Sequence, residues 1–276
     1  MLKNFFEIFQ HSVSFDIYNE LEHMERRFWM EDICIFKRTE KKYLLTEAQY
    51  LALMQKIGGA LTPDAHGKST VCNLYLDTPS FLLIRRSIDA KNESAVYKEK
   101  LRLRSYGIPD AKSRVFLEIK KKFKSVVYKR RVSMSLREAM AYLKNGTKPF
   151  DSQIMREIDY AMHLYCHPVP AVYLSYDREA FYSEENPALR LTFDTNIRYR
   201  TDHIRLEDGI YGKKILADHL HLLEIKSDGA MPLWLTKALD ETKIFPTSFS
   251  KYATAYLDMQ KAVPVEHQEE KEILYV

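Results

Sequence analysis

The chain has 276 residues, of which 46% are hydrophobic and 12% aromatic, so it can bury a substantial core and is not a disordered protein. Its three cysteines, Cys34, Cys72 and Cys166, are too few and too scattered for a disulfide framework or a zinc site, and we therefore expect a cytoplasmic protein. No segment approaches the ~20 apolar residues of a membrane span, and no secretory signal is recognisable.

Apolar spacing divides the chain into three predicted parts. Residues 1–32 have a spacing nearer to helical than to alternating, and we interpret them as an N-terminal helical extension. Residues 33–262 are predicted to form one domain. Residues 263–276 are predicted to form a charged C-terminal tail.

Strands predominate in the predicted domain, with helices between them. Thr46 with Gln49 three residues on is a capping-box pattern, and the helix that it opens is expected to end at Gly58. Ser135 is expected to cap a second helix that ends at Gly146. Strands are predicted over 33–45, 71–77, 94–106, 114–122, 125–133, 171–182, 188–200 and 219–226. Further helices are predicted over 151–165, 232–242 and 249–261.

Positive charge is concentrated between residues 97 and 131, where thirteen Lys or Arg stand against three acids. At the start of this segment four cations occupy every second position, so a strand would place them on one face. They are Lys98, Lys100, Arg102 and Arg104. Neighbouring like charges on one strand face repel by about 2–3 kcal/mol at an effective dielectric of about 20. Such a ladder is expected where a polyanion neutralises it.

The same alternation recurs in other predicted strands. Leu-Glu-Ile-Lys stands at 117–120 and again at 223–226, and in each the Glu and Lys face one way and the aliphatic pair the other. The first strand is expected to carry Arg38, Glu40 and Lys42 on one face. A later strand is expected to carry Arg190, Thr192, Asp194, Asn196, Arg198 and Arg200 on one face. These patterns predict an α+β fold, an antiparallel β-barrel or tunnel with a charged interior, surrounded by helices.

Several short motifs follow one another in the order found in a known family. They are Arg38-x-Glu40-x-Lys42-Tyr43, the strand from Lys98 to Gly107, the two Leu-Glu-Ile-Lys strands, Tyr176-Asp-Arg178, Arg190-Leu-Thr-Phe-Asp194 and Phe249-Ser-Lys251-Tyr252. Over residues 33–262 the chain resembles the polyphosphate polymerase domain of the vacuolar transporter chaperone (VTC) complex. That domain belongs to the CYTH, or triphosphate tunnel metalloenzyme, superfamily.

The resemblance implies a tunnel that holds a triphosphate with a divalent metal ion, Mn²⁺ or Mg²⁺. By matching position, four residues would act in catalysis: Lys120, Arg178, Arg190 and Lys251. Further cations would bind phosphates: Lys42, Lys100, Arg102, Arg104, Lys129, Arg131, Arg198 and Lys226. Glu224 would hold the metal, and Glu118 and Glu40 are either further metal ligands or salt-bridge partners that balance the cations.

The implied reaction transfers the terminal phosphoryl group of ATP to a growing inorganic polyphosphate chain and releases ADP. Hydrolytic members of the superfamily usually begin with Glu-x-Glu-x-Lys, whereas Arg38 here replaces the first acid, which removes a candidate metal ligand and favours a polymerase. A CYTH-type phosphatase that hydrolyses triphosphate or nucleoside triphosphates is an alternative. A non-catalytic polyanion-binding module is another.

The expected partners are ATP and inorganic polyphosphate. Nucleic acid is not expected, because an exposed nucleic-acid groove gains nothing from glutamates on its binding face. Translocation of a polyphosphate chain would need another protein, such as a membrane partner.

Overall fold

The computed structural model describes residues 38–89, 97–123 and 126–261. The predicted N-terminal extension, 1–32, and the predicted tail, 263–276, lie outside these described residues. Both therefore stay predictions, as does the start of the domain at residue 33.

Ten strands and six helices occupy the described ranges. The strands are β1 (Arg38–Thr46), β2 (Thr62–Asp77), β3 (Tyr97–Tyr106), β4 (Arg114–Phe123), β5 (Val126–Ser135), β6 (Val169–Tyr182), β7 (Arg190–Arg200), β8 (Lys213–Lys214), β9 (Leu220–Asp228) and β10 (Pro246–Thr247). The helices are α1 (Glu47–Ile57), α2 (Leu82–Ile88), α3 (Leu136–Asn145), α4 (Gln153–Leu164), α5 (Leu233–Glu241) and α6 (Lys251–Lys261). None of these helices is long and apolar enough to cross a membrane.

Side chains at the helix starts satisfy backbone groups that the first helical turn leaves without partners. Thr46 accepts a hydrogen bond from the Gln49 backbone N–H, and the Gln49 side chain accepts one from the Thr46 N–H. Ser135 and Glu138 form the same reciprocal pair at α3, which ends at Gly146 with a φ of 74°. Each such cap stabilises a helix by about 1 kcal/mol. Both predicted helix starts, at Thr46 and Ser135, are confirmed.

All strand pairs are antiparallel, in the order β10-β1-β9-β7-β6-β2-β3-β4-β5, with β8 paired to β7. In a flat sheet, six strand steps would separate β1 from β4 by about 29 Å. The Lys120 Nζ of β4 nevertheless lies 3.7 Å from the Glu40 Oε2 of β1. The sheet therefore curls around its inner face. Side chains meet across the gap, and no β5–β1 hydrogen-bonded pair is formed within the described residues.

Helices cover the outer face of the curled sheet. The outward side chains of β2–β5, such as Leu103 and Leu117, pack against α3 and α4. Outward side chains of β1, β7 and β9, such as Leu223, pack against α1 and α5. Helix α6 packs on the inner face, where Tyr252 is buried against β2, β6, β7 and β9. The predicted α+β fold is confirmed. The interior is charged only in part, because inner side chains of β6 and β9, such as Leu174 and Leu222, form an apolar cluster with α6.

Four elements differ from the sequence predictions, and two of them, β8 and β10, are two-residue strands that were not predicted. Strand β2 begins at Thr62, nine residues before the predicted start, because its first half pairs with β6 despite Pro63 and Gly67, with a register shift between Pro63 and Lys68. Helix α2 was not predicted. Its first turn is capped from a distance, because both oxygens of the buried Asp77 accept backbone N–H groups of the helix, at 2.9 and 3.0 Å.

Candidate functional site

Three neighbouring strands place most of the predicted phosphate-binding cations in rows across the inner face. Residues that lie opposite each other in an antiparallel pair share a face, with Cβ atoms about 4.5–5.5 Å apart. One row across β3, β4 and β5 consists of Lys100, Lys120 and Lys129. The next row consists of Arg102, Glu118 and Arg131. Two rows thus gather five cations around a single acid.

That acid, Glu118, is buried and paired with two of these cations. Nε and Nη2 of Arg102 both lie 2.6 Å from its Oε2, and Nζ of Lys129 lies 2.7 Å from its Oε1. Burial alone would raise the pKa of Glu118, but Arg102, Arg104 and Lys129 outweigh it and hold the pKa far below its ordinary value. This geometry favours the salt-bridge alternative for Glu118 over the metal-ligand alternative.

Arg104 continues the ladder into the interior. Its Nε donates to Oδ1 of Asn73 at 2.9 Å, and its Nη2 donates to the hydroxyl of Tyr176 at 3.1 Å. Because these partners are neutral, Arg104 keeps its positive charge available for an anion. Alternation along β3 is as predicted, since Leu101 and Leu103 lie in the core on the opposite face.

Glu224 of β9 lies at the centre of a second cluster. Its Oε1 is 3.0 Å from Nζ of Lys251 and 3.4 Å from Nζ of Lys42, and its Oε2 is 3.6 Å from Nη2 of Arg178. Burial would raise the pKa of Glu224, but these cations outweigh it and hold the pKa well below its ordinary value. Three of the predicted site cations, from β1, β6 and α6, therefore converge on one carboxylate.

Asp194 of β7 completes this cluster. Its carboxylate is fully buried and accepts two hydrogen bonds from Arg178, at 2.7 and 2.8 Å, in the fork geometry typical of Arg–carboxylate pairs. Its Oδ2 also lies 2.6 Å from Nζ of Lys251. With Lys42 and Glu224, three cations and two acids thus meet on the inner face.

Three predicted cations lie around the two clusters. Lys100 donates to Oγ of Ser250, the residue before α6, at 2.9 Å, and burial lowers its pKa to about 8. Lys226 lies opposite both Glu40 and Arg190 in the sheet register, and burial lowers its pKa as well. Arg190 is exposed at the beginning of β7, on the same face. These residues extend the basic surface toward one end of the interior.

The position of Arg198 contradicts the prediction that six residues of β7, from Arg190 to Arg200, share one face. Arg178 lies opposite Asp194, but Ser175 lies opposite Arg198, and the register shifts between them. The extra residue forms a β-bulge, and Asn196 there has a φ of 49°. Arg198 and Arg200 are therefore on the outer face, where Nη2 of Arg198 lies 4.0 Å from Oδ2 of Asp177. The prediction that Arg198 lines the interior is wrong.

The carboxylates that could hold a metal ion are Glu224 and Glu40. Lys42 lies 3.4 Å from an oxygen of each, so the two side chains are neighbours. No group of three or more acidic, histidine or cysteine side chains among the described residues could hold a metal ion. Mg²⁺ and similar hard cations are often bound by one or two carboxylates plus phosphate oxygens of the substrate, and Glu224 with Glu40 fits that donor set.

Sequence reasoning missed several neutral residues of the interior. Tyr176 hydrogen-bonds Arg104, and its ring lies 4.6 Å from Nζ of Lys251 and 5.0 Å from the guanidinium of Arg178. Its place two residues before Arg178 was a usable signal, because i and i+2 share a strand face. Asn73 gave no such signal, since only the pairing of β2 with β3 places it opposite Arg104.

Comparison with known proteins gives a family match. The model of the VTC domain family matches residues 37–260. No curated protein matches the chain. Among solved structures, a candidate adenylyl cyclase from Hippeastrum with a dominant triphosphatase activity is 18% identical, with a TM-score of 0.49, covering 83% of this chain and 99% of its own.

Two bacterial structures are similar to about the same degree. A candidate adenylate cyclase from Bacillus halodurans is 14% identical, with a TM-score of 0.48, covering 76% of this chain and 92% of its own. Another from Vibrio parahaemolyticus is 12% identical, with a TM-score of 0.45, covering 79% and 97%. The family match spans the whole curled sheet and both clusters of the inner face, and the chain belongs to the VTC domain family.

Proposed function

We propose that this protein is a metal-dependent polyphosphate polymerase, which transfers the γ-phosphoryl group of ATP to a growing polyphosphate chain and releases ADP. The observation that carries the proposal is the ladder of cations along the inner face of β3, from Lys100 through Arg102 to Arg104. Membership of the VTC domain family supports an enzyme that acts on a triphosphate.

The rows on β3–β5 suit a long chain of phosphates. Successive rows lie about 6.6–6.8 Å apart along a strand, so each row meets a different part of an extended chain. Glu118 is already neutralised by Arg102 of its own row and by Lys129 of the neighbouring row, so it repels a phosphate chain less than a free carboxylate would. A chain can therefore be held by several weak contacts, and it can move by one unit without breaking all of them.

The cluster around Glu224 suits the transfer step. Phosphoryl transfer depends mainly on positioning and charge neutralisation, and Arg178 and Lys251 supply two fixed positive charges in a buried place. Glu224 and Glu40 would hold Mn²⁺ or Mg²⁺, which when bound neutralises phosphate oxygens. Lys42 lies between those two carboxylates and would contact the same phosphate oxygens.

Incubation of the purified protein with ATP and Mn²⁺ or Mg²⁺ tests the proposal. The products are separated on a polyphosphate gel while ADP and free phosphate are measured. Long chains with a matching amount of ADP support the polymerase. Phosphate without chains would identify a hydrolase, and neither product would leave a polyanion-binding module.

Two carboxylate-to-amide variants sharpen this test. Glu224→Gln is expected to abolish chain synthesis while polyphosphate binding is preserved, because it removes a metal ligand and no cation. Glu99→Gln is the matched control, since Glu99 is equally buried but lies on the outer face of β3, where it accepts hydrogen bonds from Tyr97 and Tyr165. Equal loss of synthesis in both variants would contradict a specific role of Glu224.

A further inference from the structure

Two buried acids compete for the same two cations in the interior. Asp194 is completely buried and Glu224 is 7% exposed. Both contact Arg178 and Lys251, but at different distances. The distances show which acid holds these cations more firmly.

Asp194 holds both cations at hydrogen-bonding distance. Arg178 donates to both of its oxygens, at 2.7 and 2.8 Å, and Lys251 lies at 2.6 Å. Glu224 lies 3.0 Å from Lys251 and 3.6 Å from Arg178, so its contact with Arg178 is too long for a hydrogen bond. Asp194 therefore has the stronger contact with each cation.

The geometry of Asp194 fixes both cations independently of Glu224. Arg178 is held by two hydrogen bonds in a fork and Lys251 by a contact of 2.6 Å. Both cations would thus stay in place if Glu224 turned to another partner.

We propose that Asp194 is a positioning residue that anchors Arg178 and Lys251, so that Glu224 can exchange these cations for a metal ion while both stay in the interior. The inference rests on the proposed function, in which Glu224 is a metal ligand. Without the negative charge of Asp194, both cations would move onto Glu224, the acid that remains, and a metal ion would have to displace them.

The test measures how strongly metal and phosphate chain bind together. Inorganic tripolyphosphate is titrated into the full chain by calorimetry, with and without saturating Mn²⁺. The Kd without Mn²⁺ divided by the Kd with Mn²⁺ defines the metal coupling factor. Chelation of Mn²⁺ by tripolyphosphate in solution is the same for every variant, so it cancels in a comparison of variants. The Glu224→Gln variant gives the coupling factor of a protein that lacks this proposed metal ligand.

Asp194→Asn is expected to lower the coupling factor about tenfold, the effect of one charge-assisted hydrogen bond. Glu99→Gln, with the same change on the opposite face of the sheet, is expected to keep the wild-type factor. The double variant Asp194→Asn/Lys251→Met is expected to raise the factor again, because one of the two competing cations is gone. A purely structural role of Asp194 does not predict this rescue.

Two results would overturn the proposal. One is a wild-type factor in a folded Asp194→Asn variant, and the other is a double variant no better than Asp194→Asn. If Asp194→Asn does not fold, the double variant, which leaves no unpaired charge from the Asp194–Lys251 pair, is compared with Lys251→Met. Equal factors in those two would also overturn it, because Arg178 alone should still move onto Glu224.

The outcome is separable from that of the gel assay. A wild-type protein that makes no chains, but whose coupling factor falls in Asp194→Asn, would overturn the polymerase and support the anchor. A wild-type protein that makes chains, but whose coupling factor is unchanged in Asp194→Asn, would support the polymerase and overturn the anchor. If Glu224→Gln also keeps the wild-type factor, Glu224 is not a metal ligand, and the anchor proposal is overturned with it.

Discussion

Substitution of Glu118 by Gln tests whether this buried acid balances charge or holds metal. Its side chain is 2% exposed, both contacts from Arg102 are 2.6 Å, and Lys129 lies at 2.7 Å. Removing one partner of a buried ion pair destabilises a protein by about 3–5 kcal/mol, because the other charge stays buried without compensation. At about 2–4 °C per kcal/mol for a domain of this size, the Tm is expected to fall by about 6–20 °C.

Thermal unfolding followed by circular dichroism measures this change, and the metal coupling factor is measured on the same variant. We expect Glu118→Gln to lower the Tm and to keep the coupling factor. Glu47→Gln is a control for loss of an exposed pair, since Glu47 is 54% exposed beside His221 and its pair is worth about 1 kcal/mol at most. An unchanged Tm together with a lost coupling factor in Glu118→Gln would refute the charge-balancing assignment.

Three further predictions concern binding of polyphosphate. Lys100, with a pKa of about 8, loses its proton as the pH rises through that value, so affinity should fall toward about pH 9. Binding near that pKa should take up protons, which calorimetry in buffers of different ionisation enthalpy detects. Lys100→Met should reduce this uptake but not abolish it, because burial also lowers the pKa of Lys129 to about 8. Replacing Arg102 and Arg104 together by Ala should reduce the salt slope of the affinity by about 1.4, at about 0.7 per contact, and an unaltered slope would show that the ladder is not the binding face. Arg198→Ala should change neither affinity nor slope, because the bulge turns Arg198 outward; a loss like that of the double variant would place it inside.

Local pattern was sufficient for most elements of the fold. The capping boxes at Thr46 and Ser135 depend on residues three apart, so the sequence alone predicted both helices. The alternation in β3 and β4 likewise predicted which side chains would face inward, because successive residues of a strand point to opposite faces. Helix α2 was missed because Phe81, the residue before it, provides no side-chain cap, and Asp77, which accepts from the Leu83 and Ile84 N–H groups instead, lies outside the usual three-residue capping pattern.

Alternation failed where the backbone departs from a regular strand. Arg198 keeps the period-2 spacing from Arg190 and Asp194, yet the bulge near Asn196 reverses the faces beyond it. Bulges arise from the pairing of one strand with another, and the sequence of β7 by itself contains no comparable signal.

In the regular strands β3, β4 and β9, alternation along the sequence was enough to predict which side chains face inward, but only the pairing of the strands shows what each side chain contacts. The four-residue segments Leu-Glu-Ile-Lys at 117–120 and 223–226 are identical, so this motif does not distinguish Glu118 from Glu224. Glu118 lies between β3 and β5, whose cations neutralise it, whereas Glu224 lies between β1 and β7 and faces α6. A carboxylate takes its role from the charges on neighbouring strands, and strand order depends on contacts between distant parts of the chain.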